Sequence, residues 1–168
     1  MSTHQKLHQV IITALFAAAI AVMTAWFLHI PIPTGGYIHL GDALIYLAAC
    51  LLPAPYAAAA AAVGAGLADL LTAPMWVVPT LMIKALVALL FTHRGERLLC
   101  RRNCAAVVIA CVLSPTAYAL AGCILTGTFA AFVPQFLGTL VQGVGSGILF
   151  FILAPALDGV KLKSRLTI

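Results

Sequence analysis

Six apolar runs, separated by short polar or proline-rich breaks, make up most of the chain. The first covers residues 10–28, close to the roughly 20 residues a helix needs to cross a bilayer. Residues 29–40 interrupt it with Pro31, Pro33, Gly35 and Gly36, which no regular helix survives. A shorter run over 41–52 stops at Pro53 and Pro55. An Ala- and Gly-rich run follows over 56–71 and ends at Ala73-Pro74. Runs over 75–91, 104–125 and 129–153 complete the series, and Ser114-Pro115-Thr116 predicts a kink in the fifth. The pattern predicts an all-α membrane protein: a six-transmembrane-helix bundle forming a single domain over residues 1–168.

Composition sharpens this. Of 168 residues, 64% are hydrophobic and 8% charged, whereas a soluble domain is nearer half apolar and a quarter charged. The first run lacks a convincing small-residue cleavage site followed by a soluble domain, so it reads as a retained span. The net charge of +5 reflects topology, with no call for nucleic acid. Placing Lys6, the basic loop over 93–103 and the tail with Lys161, Lys163 and Arg165 on the cytoplasmic side puts eight of the nine Lys and Arg there. The ninth is Lys84. This is a positive-inside pattern with both termini cytoplasmic. The five Cys form no CxxC pair, so no metal or cofactor is expected.

The charges left inside the apolar runs are the informative ones. Asp42, Asp69 and Lys84 are far apart in sequence, yet the alternating direction of the spans brings all three to the outer part of the bundle. Intramembrane charges pair or face a wet cavity. Lys84 can pair with Asp69 or with Asp42. Two readings stay open, a structural ion pair and an outward pocket for a small polar solute.

Gln135, Thr139, Gln142 and Ser146 share one face of the sixth helix, suited to a pocket or to hydrogen bonds between helices. Trp76, Thr80 and Lys84 share a face of the fourth. Tyr37, Tyr46 and Tyr118 offer stacking surface, and His39 sits in the same loop as Tyr37. In the third run Ala61, Ala65 and Asp69 share a face, as do Ala58, Ala62 and Gly66, which suits a helix inside the bundle. In the first, Ala14/Ala18 and Ala17/Ala21 are small-xxx-small pairs that let another helix approach closely.

Several chemistries lack their motifs. The chain has no phosphate loop, so it is not its own ATPase by any legible signature. It has no H-E-x-x-H, and Ser114 has no Asp/His partners nearby in sequence.

The run Gly36-Tyr37-Ile38-His39-Leu40-Gly41-Asp42-Ala43-Leu44-Ile45, with Gly64-Ala65-Gly66-Leu67-Ala68-Asp69 and Pro79-Thr80-Leu81-Met82-Ile83-Lys84 after it, resembles the substrate-binding S components of energy-coupling factor (ECF) vitamin transporters over roughly residues 10–155. The resemblance implies a non-enzymatic binding subunit in a bacterial plasma membrane. It would take a micronutrient from outside, under the loop after the first helix. Ala14, Ala17, Ala18 and Ala21 would dock on the transmembrane coupling (T) subunit, and two cytoplasmic ATPase subunits would supply energy. Tyr37, His39, Asp42, Tyr46, Asp69, Trp76, Lys84, Gln135 and Gln142 are the ligand-contact candidates. The subgroup most similar is the one tied to queuosine or queuine salvage, followed by pyridoxine, hydroxymethylpyrimidine and riboflavin members. A stand-alone proton-coupled secondary transporter using Asp69 or Asp42 is the alternative. A membrane enzyme and a purely structural subunit are the less supported rivals.

Overall fold

A helix occupies each of the six apolar runs in the computed structural model, which describes residues 3–27, 29–31 and 37–166. Pro33, Gly35 and Gly36 lie outside the described residues. The helices are α1 (Thr3–Trp26), α2 (Asp42–Leu51), α3 (Ala54–Thr72), α4 (Val77–Leu89), α5 (Arg101–Thr126) and α6 (Phe132–Gly159), with a short α7 (Leu162–Leu166) at the end. Single 3₁₀ turns, Pro74–Trp76 and Phe129–Ala131, lead into α4 and α6.

Four helices are long and apolar enough to cross a membrane: α1, α3, α5 and α6 with its leading turn. The other two, α2 and the Pro74–Leu89 stretch, are shorter apolar helices. At 1.5 Å per residue the ten residues of α2 reach only about 15 Å, half the hydrocarbon thickness. Several boundaries differ from those the sequence predicts. α1 begins seven residues earlier and α5 takes in Arg101 and Arg102, because a helix continues past the apolar run until the backbone finds a stop. α5 also runs through Pro115 without a break. The outer loop contains an antiparallel pair, β1 (Ile30–Pro31) with β2 (Tyr37–Ile38).

Local chemistry explains the stops. Pro53 ends α2 and Pro55 falls in the first turn of α3, where its missing N–H costs nothing. Gly127 closes α5 in the left-handed conformation, φ 69°. At the opposite end, Asp158 on α6 accepts the backbone N–H groups of Leu98 (2.7 Å) and Leu99 (3.1 Å). Asn103 donates to the Thr92 and Leu98 carbonyls and accepts from the Thr92 N–H. These bonds tie the polar stretch after α4 to the start of α5 and the end of α6.

α2 is the buried centre. Eight of its ten residues are buried, as expected of a helix that is apolar all round. It packs against α1, α3, α4 and α6. The outer helices expose large apolar residues such as Leu15, Val22, Ile124, Val133 and Ile148, which suits a lipid-facing surface. α1 and α3 approach closely. A Cβ added at Gly64 would lie 2.6 Å from the Ala17 carbonyl oxygen and 2.8 Å from the Ile20 Cβ. At Gly66 the obstacle is only the flexible end of Leu81.

Gly64→Ala is therefore expected to destabilise the bundle by about 1–3 kcal/mol, as overpacking does. Gly66→Ala should cost clearly less. Melting curves of the purified variants in detergent check the ranking.

Candidate functional site

α2 opens on its acid. Asp42 is the first residue of the helix, where a carboxylate favours the positive end of the backbone dipole. It is 1% exposed. Lys84 reaches it from α4, and the ammonium donates to Oδ1 at 2.7 Å and to Oδ2 at 2.9 Å. Gln142 of α6 donates its amide N–H to Oδ2 at 3.0 Å. Three helices thus meet on one carboxylate. Of the two pairings open to Lys84, the structure forms the one with Asp42.

Asp69, at the far end of α3, has a separate partner. Tyr37 of β2 donates its hydroxyl to Asp69 Oδ1 at 2.5 Å. This bond fastens the hairpin over the end of the bundle. Burial, followed by the neighbouring Asp69 carboxylate, pushes the Tyr37 phenol up from its usual range, so it stays protonated and remains a donor. His29 stacks on Tyr37 with ring centres 3.9 Å apart. The His39 Nδ1 accepts the Gly41 N–H at 3.0 Å. Burial holds the His39 ring down to about 3, so it is neutral and carries its proton on Nε2.

Between these groups lies a small chamber, lined by Tyr37, His39, Asp69, Trp76, Tyr118, Gln135, Thr139 and Gln142. Trp76 and Tyr118 form one wall, ring centres 5.9 Å apart. Tyr118 and Thr80 share a 2.7 Å hydrogen bond, and the Lys84 ammonium sits 5.0 Å from the Tyr118 ring centre. Gln135 donates to Thr139 at 3.4 Å. The buried Trp76 indole N–H has no hydrogen-bond partner among the described residues. Buried polar groups are seldom left so.

The chamber measures about 30 Å³, room for a water or two. A pocket for a drug-sized ligand is roughly 300–1,000 Å³, so any such ligand must first part the walls. No group of three or more potential metal ligands occurs among the described residues.

Six of the nine ligand candidates named from sequence line this chamber: Tyr37, His39, Asp69, Trp76, Gln135 and Gln142. Asp42 and Lys84 stand directly behind Gln142 as its hydrogen-bonded support and do not line the chamber. Tyr46 lies outside it. It is fully buried in the core, stacked on Phe91 at 5.0 Å with Phe150 edge-on at 6.1 Å. Tyr118 and Thr139 join the lining; Thr139 stands on the polar face of α6 that spacing marks, and Tyr118 is one of the tyrosines that offer stacking surface. On α1, Ala14 and Ala18 are exposed and Ala21 is half-buried. Ala17 is buried, packed at Gly64 of α3.

A family model described as "ECF-type riboflavin transporter, S component" matches residues 4–158. No curated protein and no solved structure matches the chain.

Because Asp42 and Lys84 neutralise each other out of water, removing one is expected to hurt more than removing both. Lys84→Met strands a buried carboxylate and should cost about 3–5 kcal/mol. Adding Asp42→Asn to it should restore most of the lost melting temperature, which a double-mutant cycle in detergent measures.

Proposed function

We propose that this chain, which belongs to the family of S components of ECF-type riboflavin transporters, binds a small, flat, uncharged heteroaromatic micronutrient in the chamber beneath the hairpin. The observation that carries this is the make-up of the chamber. An aromatic wall of Trp76 and Tyr118 stands beside the amides of Gln135 and Gln142, the Thr139 hydroxyl and the unpartnered Trp76 N–H. Stacking faces with a few directional polar groups are what a flat hydrogen-bonding ligand needs.

The charge balance narrows the class. One ammonium, Lys84, stands among two carboxylates, Asp42 and Asp69, and Asp42 already holds it. Among the described residues the site has no spare Lys or Arg to receive a phosphate. A neutral vitamin or modified base is favoured over its phosphate ester. The family's name points to riboflavin, and the segment from Tyr37 to Asp42 resembles the queuosine and queuine subgroup; pyridoxine and hydroxymethylpyrimidine are smaller members of the same class.

The wider reading follows the family. The six-helix bundle sits in a bacterial plasma membrane with both termini inside, which the two ends of the bundle support: the basic residues gather at the end away from the chamber. The exposed pair Ala14/Ala18 on α1 is the surface for close docking on a transmembrane coupling subunit, which two cytoplasmic ATPase subunits would drive. Binding requires the hairpin to lift, which breaks the bond between Tyr37 and Asp69.

The test is thermal stabilisation of the purified chain by riboflavin, riboflavin 5′-phosphate, queuine, pyridoxine and hydroxymethylpyrimidine. A ligand at about 100 times its dissociation constant adds roughly 2.7 kcal/mol. One neutral member should stabilise strongly, with its phosphate ester binding roughly 100-fold more weakly because of like-charge contact. Gln135→Ala should weaken the hit about threefold to tenfold. Unchanged affinity in both Gln135→Ala and Trp76→Ala would move the ligand out of the chamber.

A further inference from the structure

The end of the bundle away from the chamber carries a second concavity that the substrate reading does not use. It is a groove of about 610 Å³ between the polar stretch after α4 and the corner from α6 to α7. Arg94, Arg97, Lys161 and Lys163 line it. Two acids are also present, Glu96 and Asp158. Asp158 accepts the Leu98 and Leu99 N–H groups, and with Glu96 it sets two negative charges against four positive ones, so the groove stays net cationic. The positive field is felt nearby: burial, then Lys163 and Arg94, holds the His93 imidazole below its usual range.

Lys161 is the second observation. Its backbone lies in the left-handed region, φ 53°, the one non-glycine residue among those described to do so. Glycine is the usual occupant of such a position after a helix. A side chain there is strained, and strained positions cluster where a fold holds a functional group. The corner is fixed on both sides: Lys161 N–H donates to the Asp158 carbonyl at 3.0 Å, and its own carbonyl accepts from Arg165 N–H at 3.3 Å and from the Ser164 hydroxyl at 2.9 Å. The strain is retained by a residue whose exposed side chain borders the basic groove.

A third observation says what kind of anion fits. Arg97 and Asp158 also border a second depression that continues past Leu99 and Pro155. Beyond it, on the last turns of α6, Phe151 and Ile152 are exposed. A cationic groove therefore runs into an apolar strip on a membrane-facing helix. That is the outline of an amphiphile, with a charged head and a hydrocarbon tail.

We infer that this groove is a site for the phosphate headgroup of an anionic phospholipid, held by Arg94, Arg97 and Lys161, with the acyl chains along α6. Basic clusters at the cytoplasmic edge of spans attract such lipids, and each cation near the surface adds measurably to the attraction.

The lysine supplies its own control. Lys161→Gly removes the charge and relieves the backbone, so the variant keeps or raises the melting temperature measured in phosphatidylcholine. Binding of dioleoylphosphatidylglycerol to the full chain, followed by native mass spectrometry and by melting, should weaken about fivefold in Lys161→Gly and about fivefold in Arg97→Gln. Riboflavin-panel binding at the chamber should not change in either, which keeps this site separable from the substrate reading. Phosphatidylglycerol binding that neither variant weakens, or that phosphatidylcholine matches, overturns the inference. Stabilisation by inorganic phosphate alone, lost in both variants, would assign the groove to a soluble anion and overturn the lipid.

Discussion

The bond between Lys84 and Asp42 is the constraint on which the arrangement of the helices depends. Withdrawing a carboxylate and an ammonium from water costs several kcal/mol for each ion, and the loss is recovered only with short contacts and further hydrogen bonds. Both oxygens of Asp42 are engaged, one of them twice. Any slip of α2, α4 or α6 along its axis would leave one of these groups bare in a region without water. The pair therefore fixes register more surely than the apolar contacts, which tolerate sliding. It also reaches the chamber through Gln142, which donates to Asp42 and lines the cavity. A ligand that draws on the Gln142 amide touches the same carboxylate that holds three helices together.

The two acids of the outer bundle divide the work. Asp42 is closed off, with both oxygens engaged by Lys84 and Gln142. Asp69 is held by a tyrosine on the hairpin, a contact that can be made and broken. The chamber floor is tied by three helices and its roof by the Tyr37–Asp69 bond. The same end carries no spare cation, while the opposite end gathers nearly all of them. A single chain so presents unlike surfaces to the two sides of a membrane.

Much of this was legible in the sequence. Apolar runs placed six helices, because hydrocarbon leaves the backbone few alternatives. The charges inside those runs pointed to one end of the bundle, since such residues are expensive in lipid, and of the three only Asp69 lines the chamber. Helical spacing found Gln135, Thr139 and Gln142 on a common face. What the sequence left undecided was pairing. Asp42 and Asp69 were equivalent partners for Lys84 by depth, and only the angular placement of α2 against α4 separates them. Tyr46 offered stacking surface by type alone, but it points from a helix buried on every side into Phe91 and Phe150. The hairpin was invisible because two-residue strands carry no periodicity. Ala17 reads as surface from spacing alone, and the glycine opposite it on α3 turns it inward.

The shortness of α2 bears on how the molecule is made. Ten residues beginning with a carboxylate have no stable place of their own in lipid. A translocating channel that releases hydrophobic segments one at a time would find nothing in α2 to release. Its entry must wait until α3 has emerged behind it, so that the two pass as one hairpin turning at Pro53 and Pro55. Even then the Asp42 charge has no partner until α4 brings Lys84, 42 residues on. The amide from α6 comes last of all. Assembly of the centre is thus deferred to the end of synthesis, and the outer helices must hold an unfinished core in the meantime.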